Sequence, residues 1–135
     1  MTTILIADDN DDLRVMLSQF LGANGYRALE AADGHEAVEA AARERPDLIV
    51  MDLGMPGLDG LSAVAEIRRR DPSAGTPILI LSAYDRLEYR TEALNAGCVG
   101  FIAKPVVPSE LLKTIRLLLR ADEVDLLRPE QGGQL

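Results

Sequence analysis

Leu48-Ile49-Val50-Met51 is apolar at every position, follows Pro46-Asp47 and stops at Asp52-Leu53-Gly54-Met55-Pro56. A strand with one wet face alternates polar and apolar residues. A short run without alternation fits a strand covered on both faces, which is the habit of parallel sheets. Ile78-Leu79-Ile80-Leu81 repeats the pattern. These two runs predict the middle of a sheet.

Working outward, short apolar runs alternate with amphipathic stretches along the whole chain, the order expected of successive βα units. The strand candidates are Thr3–Ala7, Tyr26–Glu30, Leu48–Met51, Pro77–Leu81 and Val99–Ala103. The second mixes Tyr26, Ala28 and Leu29 with Arg27 and Glu30, so it reads as an edge strand. Helices are predicted over Asp11–Asn24, His35–Arg45, Leu61–Arg70, Leu87–Asn95 and Ser109–Arg120, each with apolar residues three and four apart. In the first, Leu13, Met16, Leu17, Phe20 and Leu21 form the stripe. Asn10 and Asp33 stand as N-caps; Gly22, Gly25 and Gly97 fall where the chain leaves helices. Pro46, Pro72, Pro77 and Pro108 mark other joints. The fold class is therefore α/β, a five-stranded parallel sheet doubly wound by helices.

The bulk figures agree with one domain. The chain has 135 residues, 47% hydrophobic and 27% charged, enough for one core and too short for two. Fourteen Lys and Arg against 22 Asp and Glu give a net charge of -8. That balance opposes nucleic-acid binding, which needs cations to neutralise phosphates. A lone cysteine, Cys98, excludes an internal disulfide and a cysteine-based metal site. No leader-like segment opens the chain and no apolar run nears the ~20 residues of a membrane helix, so a soluble cytoplasmic protein without membrane contact is the expectation. The start at Met1 and the tail read as a complete product: a domain over 1–121 and a flexible tail over 122–135, which Pro129 and the Gly/Gln end would fray.

In open parallel sheets, ligands bind beyond the carboxyl ends of the strands. Asp8 and Asp9 follow the first strand, Asp52 the third, Ser82 the fourth and Lys104 the fifth. Three carboxylates in one crevice repel each other by several kcal/mol per close pair unless a cation intervenes. Mg²⁺ suits such a site, because it takes few carboxylates and keeps several waters. A carboxylate there can attack phosphorus, with Lys104 and the Ser82 hydroxyl beside the phosphoryl oxygens. Each residue also has a plainer reading. Asp11 and Asp12 are ordinary first-turn acids, Asp52 and Ser82 alone would be turn or capping residues, and Lys104 alone a solvated tip. The joint placement distinguishes them.

The motifs Ile4-Leu5-Ile6-Ala7-Asp8-Asp9-Asn10, Asp47 through Gly60, Pro77 through Ala83 and Ala96-Gly97 through Lys104-Pro105 resemble the receiver domain of two-component response regulators, over about residues 3–120. The resemblance implies a flavodoxin-like (βα)5 sheet in the order 2-1-3-4-5. It implies Asp52 as phosphoacceptor and as part of a Mg²⁺ site in which Asp9 binds the ion directly, Asp8 assists through water and the Gly54 backbone carbonyl completes the protein ligands. Lys104 and Ser82 would hold phosphoryl oxygens, the Lys104-Pro105 bond would be cis, and Ser82 with Phe101 would form the switch. The implied partners are a sensor histidine kinase or histidine phosphotransfer protein and a downstream protein target. In this reading the chain is a signalling protein rather than an enzyme.

Ser82 stands where threonine is more frequent in that family, and Phe101 lacks the hydroxyl of a tyrosine. Gly54 and Tyr84 fall at the two positions that tune phosphoryl lifetime. Three other features are set aside: His35 as a solvated first-turn residue, Cys98 as a buried small hydrophobe, and Arg68-Arg69-Arg70 as a helix end complementing the macrodipole. Two competing readings are a constitutive interaction platform and a Mg²⁺-dependent phosphatase with an aspartyl-phosphate intermediate. Against the latter, the acids form an Asp8-Asp9 pair rather than Asp-x-Asp. A nucleotide-binding domain is weaker still, since no glycine-rich phosphate loop follows the first strand.

Overall fold

The computed structural model describes residues 1–71, 75–83 and 87–127, with side chains to residue 120. Pro72, Tyr84 and Pro129, all singled out in the sequence, lie outside the described residues. Five strands, β1 (Thr3–Ala7), β2 (Arg27–Ala31), β3 (Leu48–Asp52), β4 (Ile78–Ser82) and β5 (Gly100–Ala103), alternate with five helices. These are α1 (Asp11–Ala23), α2 (Gly34–Glu44), α3 (Gly60–Arg70), α4 (Leu87–Asn95) and α5 (Pro108–Leu127). All strand pairs are parallel and the order is β2-β1-β3-β4-β5. The strands built on the two continuously apolar runs, β3 and β4, are internal and each extends one residue further, to Asp52 and Ser82, while β2 is an edge, as the patterns predict.

Two cores, one on each face of the sheet, follow from the two-residue period of a strand. Leu5, Ala7, Ile49, Met51, Ile78 and Ile80 pack with Ala37 and Val38 of α2, Ala63, Val64 and Ile67 of α3, and Ala93 of α4. Their neighbours Ile4, Ile6, Leu48, Val50, Leu79 and Leu81 pack with Leu17 and Leu21 of α1 and Leu111, Leu112 and Ile115 of α5.

Boundaries differ in places. The second strand begins at Arg27 rather than Tyr26, because Tyr26 N–H still bonds Leu21 O at the end of α1. The last helix starts at Pro108 and continues past Arg120 to Leu127. Helix starts match their caps: Asn10 Oδ1 accepts from Leu13 N–H and Asp33 Oδ1 from Glu36 N–H. Gly97 leaves α4 at φ +89°, a conformation that favours glycine. Among the described residues no helix is long and apolar enough to cross a membrane.

Candidate functional site

The carboxyl ends of β1, β3, β4 and β5 bring the predicted residues to one edge of the sheet. Asp8 follows β1 and is fully buried, its N–H bonded to Ala31 O. Asp52 ends β3 at 5% exposure and pairs in register with Leu81; Ser82, also fully buried, ends β4. Lys104 follows β5, with its N–H on Ser82 O at 2.8 Å, and the Lys104-Pro105 bond is cis. Asp9 and Gly54 sit at the exposed rim.

Ligand oxygens of Asp8, Asp9 and Asp52 all lie within 4.8 Å of one another. Lys104 Nζ reaches into this group, 2.9 Å from Asp8 Oδ2 and 3.5 Å from Asp52 Oδ1. The Gly54 N–H donates to Asp52 Oδ1 at 3.3 Å, and the Asn10 N–H to Asp8 Oδ1 at 2.9 Å. Asp8 Oδ2 is buried, with the Lys104 ammonium as its one close cation among the described residues. Three adjoining carboxylates, an all-oxygen donor set carrying more negative charge than one ammonium offsets, fit a hard divalent cation.

Electrostatics follow from this crowding. Burial, then the neighbouring Asp8 carboxylate, raise the Asp52 pKa above the ordinary carboxylate value, and Lys104 and the Gly54 N–H offset only part of that rise. Burial by itself would lower the Lys104 pKa; hydrogen bonding to Asp8 and the charges of Asp52 and Asp8 outweigh it and raise the net value. Lys104 is thus a firmly charged ammonium between two buried carboxyl groups.

Phe101 lies in β5, half-buried against the core of α2, α3 and α4. The Arg90 guanidinium stacks 4.8 Å from the centre of its ring. Two contributors escaped the sequence reading. Gly60 approaches the back of β3 so closely that a Cβ would stand 2.2 Å from Asp52 O, and its N–H bonds Leu53 O. Arg14 donates to the Asp8 carbonyl at 2.8 Å. The available signals were a glycine opening α3 and one basic residue amid the acids of α1. His35 is exposed, Cys98 is buried, and Arg69 and Arg70 pair with Glu66, in keeping with the plain readings of all three.

The family model for the response regulator receiver domain matches residues 4–116. The response regulator MprA of Mycobacterium leprae is 42% identical over 122 residues, covering 90% of this chain and 53% of that protein. Among solved structures, the chemotaxis protein CheY4 of Vibrio cholerae is 36% identical with a TM-score of 0.81, covering 86% of this chain and 97% of that one. A CheY-like receiver domain protein from Methanospirillum hungatei superposes with a TM-score of 0.87 at 29% identity, over 93% and 98% of the two chains. The chain spans about half the length of the curated relatives it matches.

Proposed function

Since the chain belongs to the response regulator receiver domain family of two-component systems, we propose that it accepts a phosphoryl group on Asp52 from a phosphohistidine and signals through a change of shape. The observation that carries this reading is the buried Asp52 carboxylate held beside Asp8, Asp9 and Lys104.

In the transfer, an Asp52 carboxylate oxygen forms the new bond to phosphorus while the phosphorus–nitrogen bond of the donor breaks. The electron pair leaves on the imidazole nitrogen, which then takes a proton. Transferring phosphoryl groups carry charge on their equatorial oxygens, so catalysis is mostly positioning and charge stabilisation. Lys104 supplies a fixed positive charge and the Ser82 hydroxyl a donor. Asp8, Asp9, Asp52 and the Gly54 carbonyl would hold Mg²⁺, whose charge offsets that of the carboxylates and the phosphoryl oxygens. Burial of Asp52 limits access of bulk water to it.

The readout is a population shift. Ser82 ends β4, its register partner is Ala103, and Phe101 pairs with Ile80 across the same two strands. A hydroxyl drawn towards a phosphoryl group therefore pulls on the backbone that carries the aromatic. Phe101, beneath Arg90, would present the changed face to a downstream protein. A sensor histidine kinase or a histidine phosphotransfer protein is the proposed donor, in the cytoplasm. With a net charge of -8, neither nucleic acid nor membrane is proposed as a direct contact.

Intact mass after incubation with acetyl phosphate tests the reading, with and without Mg²⁺, on the parent and on Asp52→Asn. An adduct that requires both Mg²⁺ and Asp52 is expected. No adduct on a folded, Mg²⁺-bound protein, with either acetyl phosphate or a phosphohistidine donor, would leave a constitutive interaction platform as the better account.

A further inference from the structure

Arg14 lies in the first half of α1, one turn from the acidic loop, and all three of its guanidinium nitrogens are engaged. Nη1 donates to the Asp8 carbonyl at 2.8 Å, Nε to Glu30 Oε1 at 3.0 Å and Nη2 to Asp11 Oδ1 at 2.7 Å. Its side chain is only 12% exposed, although Glu30 and Asp11 are open to water. A planar five-donor fork can bridge three acceptors in this way, whereas a lysine ammonium acts as a point charge on a flexible stem.

The contact with Asp8 is to its backbone, so it bears on peptide orientation rather than on charge balance at the carboxylates. Asp8 is gripped on each side: its N–H by Ala31 O of β2, its Oδ1 by the Asn10 N–H, and its carbonyl by Arg14. That carbonyl belongs to the peptide bond joining Asp8 to Asp9. Its direction fixes where the chain leaves β1 and hence where the exposed Asp9 carboxylate is carried relative to buried Asp8. Glu30 neighbours Ala31 on the edge strand, so Arg14 ties the β2 edge, the start of α1 and the acidic loop together.

We propose that Arg14 is a positioning residue for the cation site: by holding the Asp8–Asp9 peptide it keeps the two carboxylates at the separation a divalent ion needs. This rests on the reading of the acidic group as a Mg²⁺ site. Groups that orient metal ligands commonly change metal affinity ten- to a hundredfold when removed. Long-range electrostatics points the other way, because removing a positive charge near a cation site should tighten cation binding.

Calorimetric titration of Mg²⁺ into the parent, Arg14→Gln, Arg14→Lys, Asp9→Asn and Leu17→Ala separates these. Each is measured where circular dichroism shows it fully folded. Arg14→Gln should bind Mg²⁺ about tenfold more weakly than the parent. Arg14→Lys, which keeps the charge and loses the fork, should recover only part of that loss. Leu17→Ala weakens the packing of α1 without touching Asp8 and should bind like the parent. In phosphorylation by acetyl phosphate, the deficit of Arg14→Gln should lie mainly in the Mg²⁺ concentration needed and shrink at saturation. Equal or tighter Mg²⁺ binding by Arg14→Gln, or an equal loss in Leu17→Ala, overturns the role of Arg14. A loss in Asp9→Asn alone would leave the cation site standing without Arg14. A parent that takes up no Mg²⁺ would overturn the site reading and this role together.

Discussion

Replacing Asp52 by Asn should make the protein more stable near neutral pH in the absence of divalent cations. At an effective dielectric of about 20, a carboxylate pair no farther apart than 4.8 Å repels by at least about 3.5 kcal/mol, and an ion pair at 3.5 Å attracts by about 4.7 kcal/mol. The Asp8 and Lys104 contributions to Asp52 are therefore opposite in sign and comparable in size, with Asp9 adding a further repulsion weakened by water. Burial then decides the sign. At 5% exposure the ionised form loses most of its hydration, an effect worth several kcal/mol for a bare ion and only partly offset by the Gly54 N–H. Asn keeps the shape and the acceptor for Gly54, so a gain of about 1–3 kcal/mol is expected. The pH dependence has a definite sign. The folded pKa of Asp52 is raised, so its favourable contribution is complete below the unfolded carboxylate pKa and disappears as pH rises through the folded value. The Asn variant should thus match the parent in acid and exceed it near neutrality. Urea unfolding in EDTA, followed by far-ultraviolet circular dichroism across that range, measures the difference. Mg²⁺ should narrow it by stabilising the parent, by about 2.7 kcal/mol at a hundred times its Kd. An Asn variant no more stable near pH 7 in EDTA, or a gap independent of pH, would refute the reasoning.

Other outcomes follow from single contacts. Gly60→Ala places a Cβ 2.2 Å from Asp52 O and should lower stability by about 1–3 kcal/mol in urea unfolding, with slower Asp52 phosphorylation because the strand end must move. Leu79→Ala opens a cavity beneath β4 in the core shared with α1 and α5, and thermal or urea unfolding should show a loss of about 2–5 kcal/mol. Burial pushes the Cys98 thiol up to about 11, so its reaction with a disulfide reagent near pH 8 should be at least about a hundredfold slower than that of a free thiol. Rapid labelling of the folded protein would contradict its placement.

Much of this was legible because it depends on local pattern. The continuous apolarity of Leu48–Met51 and Ile78–Leu81 placed β3 and β4 inside the sheet, and the residues after the strands converged because a parallel sheet aligns its carboxyl ends. Ser82 and Lys104, separated by a helix in sequence, meet through one backbone hydrogen bond between adjacent strands. What escaped depends on three-dimensional approach. Nothing local marks Arg14 as a ligand of the Asp8 carbonyl, since Glu30, its other anchor, is on another strand. The closeness of Gly60 to Asp52 O likewise arises from how α3 returns against β3. The start of β2 moved for a local reason instead: Tyr26 N–H is captured by Leu21 O in the turn that closes α1 through Gly25, a helix-end bond that strand propensity does not register.

The separation of the two cores by the sheet sets a rule for how this domain tolerates length change. Along β3, Leu48 and Val50 face the side of α1 and α5, Ile49 and Met51 the other, and Asp52 continues the first set. Losing or gaining one residue within the strand would exchange both apolar sets and swing the carboxylate to the opposite face. A change of two would preserve the parity and shift only the reach. A one-residue change within β3 would thus disturb the core and the aim of the site together, whereas a change in the loops between strands leaves that parity untouched.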